Sequence, residues 1–306
     1  MSRVRTVILG TGPVAISLAR RLRSIPSGLA LAAVTDVTSE AAIAPDLFGA
    51  DVAVVRGGSR GLLNWTGFKD IGIIFDTAMA MSGEERDAMR RAGKRLIDLT
   101  PSEIGLPAVP AVNLAECVDA SCVNLTTAGG QAAAPIVAAL SQVVKVHYGE
   151  AVISMASKSA DSGMRDRIDE LTRATARSLE TVGGARQGKA VVLLNPAEPP
   201  LKMRATVLVL SEVSDRETIR ASVAGMVQAV RSYLPGYRLL QEMQFETIGN
   251  NVPVKIPGLG VFSGLKTTVL LEIDATADGL PGYAGGLDLL TSSAVAIADS
   301  IASQRT

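Results

Sequence analysis

The stretch Val7-Ile8-Leu9-Gly10-Thr11-Gly12-Pro13-Val14-Ala15 limits the fold of this chain more than any other feature. An apolar, strand-like run ends in G-x-G-x-x-A and passes into a stretch with helical spacing over 13–25. Gly10 permits the tight turn, Gly12 lets an anion approach the backbone, and Ala15 is small enough for a helix to pack closely on the strand. Thr11 lies between the glycines, and Pro13 suits a first helical position, with Val14 following it. The free N–H groups of that helical turn then favour a phosphate. Asp36 closes the next apolar run, 24 residues after Gly12. A carboxylate there bonds a ribose 2′-hydroxyl and repels a 2′-phosphate. Gly10, Thr11, Gly12, Pro13, Val14, Ala15 and Asp36 therefore predict a dinucleotide site that takes NAD rather than NADP.

The rest of the first third keeps the same rhythm. Apolar runs at 29–36, 51–56, 71–78 and 94–100 read as strands, and 82–93 reads as a helix with acidic residues early and basic residues late, as the helix dipole favours. Alternating strands and helices with near-continuous apolar strands predict an α/β, Rossmann-type, doubly wound parallel sheet. A further strand, CVNLTT (122–127), leads through Gly129-Gly130 into an apolar helix from 132. From about 142 the strands lengthen, at 145–157, 190–195, 205–213 and 267–275, with helices expected at 165–182, 215–233 and 287–304. Fewer helices per strand predict an α+β domain on an open sheet, serving dimerisation and substrate binding. The expected division is 1–128 with 281–306 as the NAD-binding domain, and 129–280 as the second domain.

Charge and cysteine content exclude several functions. Lys+Arg and Asp+Glu both number 30, so no basic groove for nucleic acid is expected. No apolar stretch reaches the ~18 residues a membrane span needs. The basic N-terminus and short apolar run read as a strand entering a phosphate loop rather than as a signal peptide, which predicts a cytoplasmic protein. Cys117 and Cys122 are too few for a disulfide framework, and a lone His147 rules out a His-rich metal site, so no metal is expected.

Several stretches, in order, resemble the acylating acetaldehyde dehydrogenases, the partners of 4-hydroxy-2-oxovalerate aldolase. They are RLIDLTPSEIG, TTAGGQAAAPIVAAL, KVHYGE, SKSADSGMRDRIDELT, GKAVVLLNPAEPPLKMR, LPGYRL, IPGLGVFSGLKT and LPGYAGGLDLLTSSA. The resemblance implies an NAD-dependent enzyme supplied with acetaldehyde by its aldolase, and the open sheet of the second domain favours a homodimer. It implies a cysteine thiolate that attacks the aldehyde, hydride transfer from the adduct to NAD, and acyl transfer to coenzyme A. Thr77 and Ala78, at the turn after the fourth strand, join the cofactor-binding set.

The chain departs from that pattern at the positions that do the chemistry. Where the family has cysteine before Gly-Gly-Gln, this chain has Ala128. Where the family has Asp after Pro-Pro-x-x-Met-Arg, it has Ala205; where the family has Asn beside the nicotinamide, it has Gly286. The Ser/Thr-rich turn becomes apolar, with Met79 and Met81, and Gly-Pro-Gly-Thr-Arg becomes Asp161-Ser162-Gly163-Met164-Arg165. Gln131 is kept, and the N–H groups near Gly129 and Gly130 are expected to remain open to a carbonyl oxygen or an anion. Cys122 lies six residues before Ala128 on the expected strand, roughly 20 Å away at ~3.3 Å per residue, and does not replace the missing thiol. Thr126 and Thr127 have no evident base. A family member that binds NAD(H) without thioester chemistry is the expectation. The open alternatives are a non-catalytic subunit beside an aldolase-like partner and a repurposed reductase acting on an aldehyde, ketone or imine.

Overall fold

The computed structural model describes residues 3–24, 27–36, 45–79, 81–160, 162–249, 251, 253–256, 258–277 and 279–304. The chain divides into two compact units, 1–126 with 290–306, and 127–289.

The first unit holds β1 (Val4–Leu9), α1 (Pro13–Ser24), β2 (Leu29–Thr35), α2 (Pro45–Phe48), β3 (Ala53–Val55), α3 (Gly58–Asn64), β4 (Ile71–Asp76), α4 (Gly83–Arg91), β5 (Arg95–Asp98), β6 (Leu106–Pro107), α5 (Pro110–Asp119) and β7 (Cys122–Asn124). Its seven strands form a sheet in the order β3-β2-β1-β4-β5-β7-β6, parallel at every pairing. Every residue of β4 is buried, as a strand covered on both faces requires. The strand order reverses between β1 and β4, and ligands of such sheets bind outside the carboxyl ends of the strands at that point. This is the Rossmann-type arrangement. The expected end of α1 at Ile25 lies outside the described residues. Helix α4 is opened by a capping box, with the Ser82 hydroxyl and the Glu85 carboxylate each accepting the other's backbone N–H. The pair β6 and α5 was not expected from the sequence. The expected strand 122–127 is shorter than its apolar run, because Thr126 takes a left-handed backbone with φ 58° and turns the chain.

The second unit holds α6 (Ala128–Ser141), β8 (Val146–Ala156), α7 (Ser162–Asp166), α8 (Ile168–Thr181), β9 (Gln187–Asn195), β10 (Met203–Ser211), α9 (Arg216–Arg231), β11 (Tyr237–Leu239), β12 (Gln244–Ile248), β13 (Val254–Ile256), β14 (Gly260–Phe262), β15 (Gly264–Ile273) and the start of α10 (Gly285–Gln304). Six strands make a mixed sheet, β11-β15-β10-β8-β9 with β12 also on β15, and only β8 and β9 run parallel. Strand β10 alternates as a sheet with one covered face must: Met203, Ala205, Val207 and Val209 are buried while Arg204 is exposed. Helix α6 packs on β8 and β10 between α8 and α9. It is apolar all round and buried from Gly129 to Leu140, as a helix with neighbours on every side must be. The single helix expected over 165–182 is two, broken at Arg167 (φ −114°, ψ 23°). Among the described residues, no helix is long and apolar enough to cross a membrane.

Candidate functional site

At the carboxyl edge of the first sheet, Gly10 has φ 113°, and a Cβ there would lie 2.4 Å from Thr77 Oγ1 and 3.1 Å from Ala78 Cβ. Only glycine fits this position. The Thr77 hydroxyl donates to the Leu9 carbonyl at 2.7 Å, so the turn after β4 is tied to the end of β1. A Cβ on Gly12 would meet nothing within 4 Å, which leaves open the approach to the first turn of α1 from Pro13. Ala15 is fully buried where α1 packs. Asp36, at the end of β2, is 1% exposed. Its Oδ1 accepts from the Gly57 N–H at 3.1 Å, while its Oδ2 has no hydrogen-bond partner among the described residues. A buried carboxylate oxygen without a donor is costly, on the order of 1–3 kcal/mol or more, unless a ligand hydroxyl completes it.

In the second unit, α6 begins at Ala128. Its N-cap is Thr127, whose hydroxyl accepts from the Gly130 N–H at 2.8 Å. Thr127 Oγ1 is 2.6 Å from Thr175 Oγ1, and Thr175 donates to the Leu171 carbonyl at 2.7 Å. A carbonyl can only accept, so Thr175 must use its proton there and Thr127 must donate to Thr175. The Thr127 proton is therefore committed to Thr175, and no base is placed to remove it. The Gly130 N–H is committed as well, which corrects the expectation that it is open to a carbonyl oxygen or anion. Gln131 is fully buried.

Beside Gly286 the nearest groups are apolar. A Cβ on Gly286 would lie 3.1 Å from Met203 Sδ, 3.4 Å from Ala128 Cβ and 3.4 Å from Met155 Sδ. Gly286 and Ala128 thus pack against each other beneath two thioethers, and the volume beside Gly286 is taken by Met203. Ala205, 1% exposed, is paired with Ile153 on β8. The Ile153 side chain in turn lies 3.1 Å from where a side chain on Gly129 would begin. Positions 128 and 286, far apart in sequence, thus meet in the second unit, and Ala205 lies on the same buried face of β10 as Met203.

The matches to known proteins follow this division. Residues 128–281 match the family model described as prokaryotic acetaldehyde dehydrogenase, dimerisation. The chain is 47% identical over 303 residues to acetaldehyde dehydrogenase 1/2 of Rhizorhabdus wittichii, covering 98% of this chain and 96% of that one. It is 47% identical over 305 residues to the acetaldehyde dehydrogenase of Escherichia coli O157:H7, with 99% and 96% covered. It is 47% identical over 309 residues to acetaldehyde dehydrogenase 2 of Novosphingobium aromaticivorans, with 99% and 97% covered. The chain belongs to the acetaldehyde dehydrogenase family.

Within this family member, neither cysteine stands in for position 128. Burial pushes the Cys117 thiol up to about 12. Burial also raises Cys122, against the opposing pull of Arg86. Both thiols are buried, and Cys122 Sγ sits 3.7 Å from the Ile104 carbonyl oxygen and 3.8 Å from Arg86 Nη1. His147 is on β8, with Nε2 3.6 Å from Glu212 Oε1 and its ring tilted against Phe262. Asn195 closes β9 with Oδ1 accepting from the Ala197 N–H at 2.9 Å, and Arg165 donates to the Ser157 carbonyl at 2.7 Å. Of the apolar turn, Met79 is 38% exposed with φ 52°, while Met81 is buried. Asp161 lies outside the described residues. The residues missed from sequence are Met155 and Met203. Met203 stands two positions before Ala205, so strand alternation already places it on the same face.

Proposed function

We propose that this chain is a dinucleotide-binding member of the acetaldehyde dehydrogenase family that does not form the acyl thioester. The observation that carries the reading is the packing at position 128. The first residue of α6 is a methyl group, and its neighbour across the gap, Gly286, is roofed by the sulfurs of Met203 and Met155. Thioester chemistry needs an ionised sulfur that adds to the aldehyde carbon, so that the tetrahedral adduct can expel hydride. A methyl has no lone pair to add. The Thr127 proton is already donated to Thr175, with no base placed to take it, and both cysteines are buried with their thiols shifted toward the protonated form. Removing the nucleophile from a covalent mechanism costs on the order of 10⁶-fold in turnover.

The first unit fits NAD(H). The Gly10–Ala15 loop and the start of α1 suit a pyrophosphate, with no atom of the described residues within 4 Å of where a Gly12 Cβ would stand. Asp36 offers a buried Oδ2 that lacks a donor, as a ribose hydroxyl would supply. Thr77 and Ala78 brace the loop through their contact with Gly10. Bound there, the nicotinamide ring would supply hydride exchange. In the second unit, the open face of the mixed sheet pairs with a second copy, in line with the dimerisation domain that the family model describes.

A second reading is a non-catalytic subunit that supports an aldolase. It is favoured by an intact six-stranded sheet in a chain whose departures fall on chemical positions. Thiol-free hydride transfer to a ketone or imine needs a proton donor, and the nearest atoms to position 286 are two thioether sulfurs and a methyl, which supply none. Titration with NADH, followed by nicotinamide fluorescence, decides between the two. Saturable micromolar binding supports the dinucleotide reading. No binding up to millimolar NADH overturns it and leaves the subunit reading, which co-expression with an aldolase then tests.

A further inference from the structure

Beneath the turn that braces the Gly10 loop lies a buried group of charges that the proposed function does not use. Asp76 ends β4 and Asp98 ends β5, and they face each other in register on neighbouring parallel strands. Asp76 is 2% exposed and Asp98 fully buried. One cation serves both: Arg86 of α4 places Nη1 3.5 Å from Asp98 Oδ2 and Nη2 3.8 Å from Asp76 Oδ2. Among the described residues, Arg86 is the one cation paired with either carboxylate. On β1 the partner of Asp76 is Leu9, and β7 contributes Cys122, which lies against Arg86.

The two carboxylates are not equivalent. Asp98 accepts from the Thr100 N–H and hydroxyl at 2.8 and 2.6 Å, and from the Ser102 hydroxyl. Asp76 Oδ1 accepts the Ala78 N–H at 3.0 Å, and the Met79 N–H adds a weaker bond to the same carboxylate. Its Oδ2 and Arg86 Nε have no hydrogen-bond partner among the described residues. Two negative charges, one distant positive charge and unequal hydrogen bonding put any proton taken up by the group on Asp76. Burial and the charge of Asp98 raise Asp76 to about 6, against the Ala78 N–H, Arg86 and the Met79 N–H.

The turn that Asp76 holds is the one that touches the nucleotide loop. Ala78 is bonded to the carboxylate, and Thr77 and Ala78 form the wall against Gly10. We propose that Asp76 is a positioning residue whose ionised form fastens the Thr77–Ala78 turn, and that protonation of Asp76 loosens this turn and weakens dinucleotide binding. Only the ionised form both accepts fully from Ala78 and attracts Arg86. Binding then favours the deprotonated group, so by linkage the dinucleotide expels a proton. The inference rests on the dinucleotide reading above, and its test separates the two.

The test compares the full chain with Asp76→Asn, which cannot ionise but keeps shape and acceptor. NADH affinity is measured from about pH 5.5 to about pH 7.5, with proton release followed in weak buffer, and amide exchange of segment 77–79 is measured without ligand. For the natural chain, affinity falls on the order of five-fold or more toward low pH, and proton release peaks near the Asp76 titration. For Asp76→Asn, affinity stays at the low-pH value, releases no proton, and segment 77–79 exchanges faster than in the natural chain at neutral pH. A pH-independent affinity, with Asp76→Asn binding as tightly as the natural chain, overturns the inference. If NADH binds neither protein at any pH, the dinucleotide reading fails, and exchange alone decides: faster exchange in Asp76→Asn keeps the positioning role, and equal exchange overturns it.

Discussion

Placing a side chain at Gly286 tests whether the region around Ala128 has been refilled or merely emptied. A Cβ at 286 would lie 3.1 Å from Met203 Sδ and 3.4 Å from both Ala128 Cβ and Met155 Sδ. Gly286→Ala asks one sulfur to move by a few tenths of an ångström. A helical Gly→Ala change gains up to ~1 kcal/mol, so this variant stays within about 1 kcal/mol of the natural chain. Gly286→Asn adds three more heavy atoms against the same sulfurs, in an interior where Met203 is fully buried and Met155 6% exposed. Overpacking of that kind costs about 1–3 kcal/mol. The expected loss of melting temperature is roughly 2–4 °C per kcal/mol. Met203→Ala opens a cavity and is destabilising alone, by roughly 2–5 kcal/mol. In the double variant the Asn enters that cavity, so the two changes couple favourably by about 1 kcal/mol or more. Thermal and urea unfolding of the four proteins give the coupling directly. If Gly286→Asn melts with the natural chain and the cycle shows no coupling, the sulfurs do not fill the space and the argument for a re-lined region is wrong.

Ala128→Cys alone is expected to give a thiol but no coenzyme A-dependent acetaldehyde oxidation, because Ala205 and Gly286 still lack the polar groups of the family; steady turnover by this single variant would show that they matter little. With both cysteines buried and shifted toward the protonated form, a thiol reagent at mildly alkaline pH labels neither in the folded protein and both after denaturation. Asp76 bears on stability as well as on binding. Its folded value of about 6 lies above the unfolded carboxylate value of about 4, so stability falls as pH rises between the two values and is lower by up to ~3 kcal/mol above them. Asp76→Asn removes that part of the pH dependence in chemical unfolding, and an unchanged slope would contradict the assignment. Gly10→Ala combines a left-handed φ of 113° with a 2.4 Å approach to Thr77 Oγ1 and is expected to destabilise by several kcal/mol, on the order of 2–4, which unfolding in urea measures.

The dinucleotide loop and the parallel sheet were legible because local chemistry sets them. Gly10 needs its positive φ whatever surrounds it, and near-continuous apolar strands suit only a sheet covered on both sides. The end of β7 was not legible, since nothing local forces the β-branched Thr126 into a left-handed backbone with φ 58°. The commitment of the Gly130 N–H was half legible. A Thr three residues earlier is a normal N-cap, but its second bond comes from Thr175, on another helix. The apolar packing of Ala128 with Gly286 depends on tertiary contact between residues 158 positions apart. Spacing cannot give such a contact. For the same reason the pairing of Asp76 with Asp98 appears only when β4 and β5 are laid side by side.

The most direct test of the central claim is to mix the purified protein at high concentration with NAD and acetaldehyde, with and without coenzyme A, and follow the absorbance of reduced nicotinamide. A thiol enzyme of this family would give a burst of one equivalent without coenzyme A and continuous turnover with it. The account predicts neither, from a protein that still binds NADH saturably. A burst, or coenzyme A-dependent turnover from the natural chain, would contradict it and require a nucleophile other than the residue at position 128.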